Sequence, residues 1–388
     1  MIVAQPDTID GISTLVREAG AQGKRVSVIG GGTHTQCCRP PGSIDIELHT
    51  GRLDSVASYT PDDMTISVQA GMTASRLSAL LMEHGCRLPL DVEEPERATI
   101  GGIAASGWSG PRRLGLGSLR DLLIGARVVL GDGTVVKTGG MVVKNVSGYD
   151  LTKLLHGSFG SLGVIVELNF KALPVPAREL ALTYQLPGGA EAVKAATALF
   201  ASRLPFVAIE AASDGTMIAG CEGHPADVER LRLASGDAAA RLGGREAIRA
   251  QGHADAARAW RARTRAPFDA ATVTFRIASL PSRMADAVAT VERVAEGLGH
   301  RPVWRADAGC GSIDVSVESS ASVEPLAALE NALIERFGAV RALRCPEQMR
   351  SSLKIFGRPP QGLSLMRALK AQFDPNGVLN VGTNVGGI

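Results

Sequence analysis

Apolar positions in the first 180 residues fall into short periodic runs punctuated by glycine. Ile9, Ile12, Leu15, Val16 and Ala19 share one helical face between Thr8 and Gly23, and Gly20 or Gly23 can end that helix. The continuous run Val26–Ile29 predicts a buried strand; further strands are expected over 43–48 and 65–69, and a helix over 74–84 stops at Gly85. Beyond the glycine-rich turns of 101–117, strands over 126–130 and 135–138 flank the hairpin turn Gly131-Asp132-Gly133, and a long strand follows over 163–172.

Pro174 and Pro176 close that strand and glycine thins out, which places a domain boundary near residue 178. The next stretch reads as strand (180–186), helix (190–201), two strands (206–212, 216–221) and helix (226–242). The order then recurs: a strand over 272–279, a helix over 284–298 with Ala287, Val288, Val291, Val294 and Leu298 on one face, strands near Val303 and Ile313, and a helix over 324–337. Two βαββα orders in tandem predict an α+β domain over 179–345, an antiparallel sheet with helices on one face. Residues 346–372 form a connecting segment ending in a helix, and 373–388 a turn-rich tail.

With 388 residues the chain exceeds what a single core holds, so two or three domains are expected. Forty-one Lys and Arg against thirty-nine Asp and Glu leave +2, which gives no electrostatic case for nucleic acid or an anionic membrane. Cys37, Cys38, Cys86, Cys221, Cys310 and Cys345 contain no CxxC pair, so they read as reduced thiols rather than zinc or iron–sulfur ligands. No apolar run reaches the roughly 18 residues of a membrane span and the N-terminus has no signal-like core, so a cytoplasmic location is expected.

The chemistry concentrates in glycine. A strand running into Gly30-Gly31-Gly32-Thr33-His34 can offer successive backbone N–H groups to a pyrophosphate, although a bare GGG also suits an ordinary tight turn. The nicotinamide fingerprint GxGxxG fails at Thr35, and no GxxxxGK[ST] occurs. A second cluster, Gly101, Gly102, Ser106, Gly107, Ser109 and Gly110, reads as backbone and small hydroxyls wrapped around a ligand, and Pro89-Leu90 as a surface for a planar ring.

Gly30–Thr33, Pro89-Leu90, Ile100-Gly101-Gly102, the run Lys144 to Leu151, the run Gly157 to Ile165 and Asp374–Asn380 recur in order, and together they resemble the FAD-binding domain of the vanillyl-alcohol oxidase (PCMH-type) flavoproteins. The resemblance covers about residues 1–178 plus the tail. It implies a two-subdomain FAD-binding domain followed by an α+β cap. Through Ser109–Arg113, Lys144–Leu151 and Phe275–Pro281 the chain is further similar to the FAD-binding subunits of glycolate oxidase complexes.

The resemblance implies that Gly30, Gly31, Gly32, Thr33 and His34 hold the pyrophosphate. It also implies that Pro89, Leu90, Thr99, Ile100, Gly101, Gly102, Ser106 and Ser109 line the flavin and ribityl chain. The backbone near Val164 and Ile165 would meet the adenine-side half, and Asn380 would approach the isoalloxazine from the cap side. Some relatives attach FAD through a histidine directly after two glycines; here Thr33 intervenes, so non-covalent FAD is expected.

Oxidising a 2-hydroxy acid requires a base or metal for the hydroxyl and a cation for the carboxylate. Related catalytic subunits carry a metal-binding segment with two histidines, which Ala306–Asp314 matches with Asp307 and Asp314 in their place. These two read as a solvated strand end, with Mg²⁺ as the alternative and no metal assigned. Arg276 and Arg263 are the candidates for the carboxylate, with a surface salt bridge as the competing role, and Arg276 is expected to face the flavin.

The resulting expectation is an FAD-binding subunit of a glycolate oxidase-like dehydrogenase. It would pass electrons from a 2-hydroxy acid through FAD to an iron–sulfur subunit, beside a catalytic flavoprotein subunit, with membrane association only through those partners. The alternatives are a self-sufficient FAD dehydrogenase of another small hydroxy acid or alcohol, and a cofactor-free assembly subunit.

Overall fold

The computed structural model describes residues 1–141, 150–265, 272–318 and 323–388. Two compact units result: the first comprises Met1–Ser109, Ser118–Val175 and Pro359–Ile388, the second Gly110–Gly117 and Pro176–Arg358. The break after the first unit thus falls three residues before the expected 178. The returning C-terminal segment begins at Pro359 rather than 373, and the expected connecting segment 346–372 is split between the units. Residues 110–117, expected in the first domain, belong to the second.

In the first unit, the helix Ile9–Ala21 starts at Thr8, whose hydroxyl accepts the Gly11 N–H, and it buries Ile12, Val16 and Ala19. The strands Ile2–Ala4, Ile46–His49 and Val26–Ile29 pair in that spatial order as a parallel sheet. The C-terminal tail extends it: Val26 N–H donates to Val378 O and Asn380 N–H to Val26 O, so Leu379 lies beside Val26. Val26, Leu48, Val129, Val164 and Leu379 share one core with the helix. A five-stranded antiparallel sheet follows in the order Val56–Thr60, Thr65–Gln69, Val164–Lys171, Leu123–Val129, Val135–Gly139. Its core takes Leu77 from helix Ala74–Met82 and Ile103 from helix Ile100–Ser106. Val56–Thr60 went unread because it is an exposed edge strand without apolar alternation.

The tail is locked by a buried ion pair. Lys370 Nζ, paired with Asp374, donates to Ser161 O (2.7 Å) and Leu379 O (2.8 Å), while the Asp374 carboxylate accepts the N–H groups of Val378 and Leu379, each at 2.9 Å. Burial pulls the Lys370 pKa down, and Asp374 opposes that pull.

The second unit is built on one antiparallel sheet of eight strands. Their order is Arg245–Gln251, Arg178–Gln185, Thr216–Gly223, Ala208–Ala212, Val303–Asp307, Ser312–Glu318, Thr272–Ala278, Val340–Arg344. Each expected βαββα order gains a closing strand, Arg245–Gln251 in the first and Val340–Arg344 in the second. Helices Gly189–Ala201, Pro225–Ala240, Met284–Gly297 and Glu324–Phe337 cover one face, whose side chains include Leu182, Ile209, Phe275, Trp304 and Val315. The other face departs from expectation. Helix His253–Arg265 packs there, with Trp260 against Ala181, Ala208 and Ile218. Among the described residues, no helix is long and apolar enough to cross a membrane.

Candidate cofactor site

The parallel strand Val26–Ile29 delivers the chain into the loop Gly30–His34. Gly30 and Gly31 are glycine for a reason internal to the protein: a Cβ at Gly30 would collide with Thr99 Oγ1, and one at Gly31 with the Arg97 carbonyl oxygen. Gly32 differs, since its φ is +70° and nothing lies within 4 Å of where a Cβ would stand. Among the described residues, the N–H groups of Gly30, Gly31, Gly32 and Thr33 make no hydrogen bond to protein, while the Gly31 and Gly32 carbonyls are held by Arg97 Nη2 (3.4 Å) and Thr35 Oγ1 (3.3 Å). The carbonyls are turned to protein partners and four successive donors are left for an anion, the chemistry of a pyrophosphate nest.

Thr99 caps the helix Ile100–Ser106 by accepting the Gly102 N–H (3.2 Å). Its other leading donors are spent as well, Ile100 N–H on Met72 O and Gly101 N–H on Ala70 O. Thr99, Ile100, Gly101 and Ser106 are buried, with Ser106 Oγ donating to Ile103 O. Of these four, Thr99 backs the first loop, its Oγ1 standing where a Cβ on Gly30 would be. Pro89, Leu90, Gly102 and Ser109 are half-buried and keep accessible surface.

Val164 and Ile165 pack their side chains in the core and pair in the ladder with Val129 and Val128, which leaves the adenine half to the backbone near them. Asn380 spends its side-chain amide within the protein. Its Oδ1 accepts the Val28 N–H at 2.7 Å and its Nδ2 donates to Phe159 O at 2.6 Å, which makes it a splice between backbone segments. Residues 144–149 of the expected signature lie outside the described residues.

Sequence reading missed Trp108 and His156. The Trp108 ring lies 4.8 Å from that of His34 and its Nε1 donates to Asp91 O at 3.0 Å, joining the first glycine loop to the segment after Leu90. An aromatic inside Ser106-Gly107-Trp108-Ser109-Gly110 was the available signal. His156 adjoins Gly107, its buried Nε2 has no hydrogen-bond partner among the described residues, and burial, then the Arg120 charge, pushes its pKa down to about 4. It is therefore neutral at ordinary pH.

In the second unit, the sheet face opposite the four helices carries charge. Arg276 forks onto Asp314 (2.6 and 2.8 Å), Arg305 reaches the same carboxylate at 3.0 Å, and Glu210 lies between Arg305 (3.6 Å) and Arg263 (3.4 Å). Burial pushes Asp314 up, yet the two guanidiniums hold it below the usual carboxylate range. Arg276, expected to face the flavin, spends its fork on this ion pair. Arg263 keeps a buried Nη2 without an acceptor among the described residues.

Asp307 sits opposite Glu210 in register; burial and then that neighbour raise its pKa to about 6. Asp307 and Asp314 are both buried, which corrects the solvated strand end. No cluster of three His, Cys, Asp or Glu suited to a metal occurs among the described residues.

A nest of main-chain donors at the end of a parallel strand, backed by a glycine-rich helix and beside a returning tail, is the arrangement that the resemblance to PCMH-type flavoproteins implies. Comparison with known proteins agrees. Residues 1–139 match the family described as FAD binding domain, and residues 357–383 the one described as FAD linked oxidases, C-terminal domain. Residues 1–139 therefore form an FAD-binding domain and the chain binds FAD, while it spans less than half the length of the first relative it matches.

It is similar to glycolate oxidase subunit GlcE of Escherichia coli, 38% identical over 145 residues, 37% of this chain and 40% of that one. It is also similar to D-2-hydroxyglutarate dehydrogenase of Xanthomonas citri, 26% identical over 421 aligned positions, 98% of this chain and 88% of that one. Alkyldihydroxyacetonephosphate synthase shares the fold, with a TM-score of 0.73 at 18% identity over 97% of this chain and 75% of that chain.

Proposed function

We propose that the chain is the FAD-binding subunit of a 2-hydroxy acid dehydrogenase complex of glycolate oxidase type. Its flavin would relay electrons from a catalytic flavoprotein subunit towards an iron–sulfur subunit. Bound flavin supplies the chemistry, since it accepts a hydride and releases electrons singly. Gly30–Thr33 hold its pyrophosphate through main-chain N–H groups. Pro89, Leu90, Gly102 and Ser109 line the ring and ribityl chain, and His34 remains a packing partner of Trp108 in a non-covalent complex.

One observation carries the relay reading. The segment Ala306–Asp314, which matches the metal-binding segment of the catalytic relatives, has Asp314 closed into a double arginine ion pair. Asp314 is thus engaged by arginines rather than presented to a metal, and among the described residues no cluster of three metal-ligating side chains occurs. Anaerobic mixing of the FAD-loaded chain with glycolate, D-lactate or D-2-hydroxyglutarate should leave the flavin absorbance unbleached, with reduction appearing once the catalytic subunit is added.

A self-sufficient dehydrogenase is the second reading, favoured by the similarity to D-2-hydroxyglutarate dehydrogenase along nearly the whole chain. In it, the substrate carboxylate goes to Arg263, whose Nη2 is open, rather than to Arg276. Rapid bleaching of the isolated chain by one of these acids would establish it and reject the relay.

A further inference from the structure

The chain leaves the first unit after Ser109, runs through the second as Gly110–Gly117, and re-enters the first at Ser118. This eight-residue strap is fastened to the second unit at three places. Arg112 Nη1 meets Glu179 Oε1 at 3.0 Å with both side chains almost wholly buried, at 5% and 3% exposure, and the other Glu179 oxygen lies 3.1 Å from His253 Nδ1. Gly115 N–H donates to Val207 O at 3.2 Å, and a Cβ at Gly115 would stand 2.8 Å from Val207 Cα. Leu114 occupies the place that a Cβ on Gly309 would need.

The strap is stiff along its length. Leu116 N–H donates to Arg112 O and Gly117 N–H to Arg113 O, closing a helical turn. Upstream, only Ser109, Gly110 and Pro111 separate Arg112 from Trp108, which is tied to His34 and Asp91. Three residues span at most about 10 Å, and proline fixes one of the intervening φ angles, so Ser109 is closely tethered to Arg112 along the chain.

A buried ion pair is a poor source of stability, because desolvation of both charges offsets most of their attraction and apolar replacements of similar volume are often as stable. What such a pair supplies is a defined geometry. We propose that the buried Arg112–Glu179 pair is a positioning device for the cofactor, holding the strap so that Ser109 and Trp108 keep their places beside the flavin. The inference rests on the proposed lining of the flavin by Ser109.

The double substitution Arg112→Met with Glu179→Met removes both charges together and leaves neither buried alone. In the full chain it should retain native circular dichroism and unfold within a few degrees of the unsubstituted protein. Its FAD Kd should rise at least about tenfold, and the visible circular dichroism of the bound flavin should change. The charge swap Arg112→Glu with Glu179→Arg should recover part of the affinity. A folded double variant with unchanged FAD Kd and unchanged flavin dichroism would overturn the proposal. Ser109→Val tests the underlying reading separately and should weaken FAD binding. If it does so while the double variant does not, the strap inference fails and the lining stands; if Ser109→Val changes neither Kd nor dichroism, the lining itself is wrong.

Discussion

Asn380 donates from Nδ2 to the carbonyl of Phe159 at 2.6 Å, and both residues hold left-handed backbone, with φ of 45° and 52°. Two non-glycine residues in that region, bonded to each other, are strained positions maintained by their surroundings. The same amide accepts the N–H of Val28, one residue before the end of the strand that opens into Gly30. Asn380→Ala should therefore cost about 2–3 kcal/mol in urea unfolding, from two lost hydrogen bonds and retained strain. Asn380→Gly loses the same bonds but relieves the backbone, so it should be less destabilised by about 1 kcal/mol. Equal losses for the two variants would mean that the φ value carries no strain.

The glycines of the first loop separate folding from cofactor binding. A methyl at Gly31 runs into the Arg97 carbonyl, so Gly31→Ala should destabilise the apo-protein by several degrees in thermal unfolding. At Gly32 the space is open and only the positive φ resists a side chain, so Gly32→Val should cost the apo-protein about 1–2 kcal/mol and weaken FAD binding at least tenfold by crowding the nest. If Gly32→Val binds FAD normally, the pyrophosphate does not sit on these four N–H groups.

Those two glycines also show what sequence could and could not reveal. Strand followed by GGG was legible, because a nest depends on backbone conformation and glycine announces it. Which glycine serves a ligand and which serves the neighbouring loop was not legible, since Arg97 and Thr99 meet the loop only in three dimensions. The same limit explains Arg276. It alternates with the apolar Phe275 and Ile277, but its partner Asp314 lies on the neighbouring strand of the sheet, 38 residues away in sequence. Helix His253–Arg265 is not legible because four arginines interrupt its apolar positions and its buried anchors are few, Trp260 and Ala256 among them. Asn380 stands out in the sequence only through the tail motif, and its joining of backbone segments is something that periodicity does not encode.

His156 supplies an acid-side prediction. Its folded-state pKa is lowered to about 4, below the ordinary 6.5, so the unfolded chain binds the proton more readily. The stabilisation is fully present above pH 6.5 and is lost as pH falls towards 4, by on the order of 2 kcal/mol once solvent screening is allowed for. His156→Gln, which cannot titrate, should flatten that part of the stability profile when urea midpoints are compared at pH 7.5 and 4.5. An unchanged slope would show that His156 is solvated in the folded protein.

Asp307 predicts the opposite sign. Its pKa is raised from 3.8 to about 6 by burial and by Glu210 across the strand pair, while the Cys310 N–H bonds its Oδ1 at 2.9 Å and Arg113 offers partial relief. A raised carboxyl favours the protonated folded state, so stability is greatest below the unfolded pKa and falls as pH rises through 6. At 1.36 kcal/mol per pH unit, the ionised carboxylate destabilises the protein by about 2–3 kcal/mol above pH 7. Asp307→Asn keeps an oxygen for Cys310 and removes the charge, so it should be more stable than the unsubstituted protein by about that amount at pH 8. The advantage should shrink to nearly nothing at pH 4, where both side chains are neutral. An advantage of the same size at both pH values would place its origin in packing rather than in the ionisation of Asp307 beside Glu210.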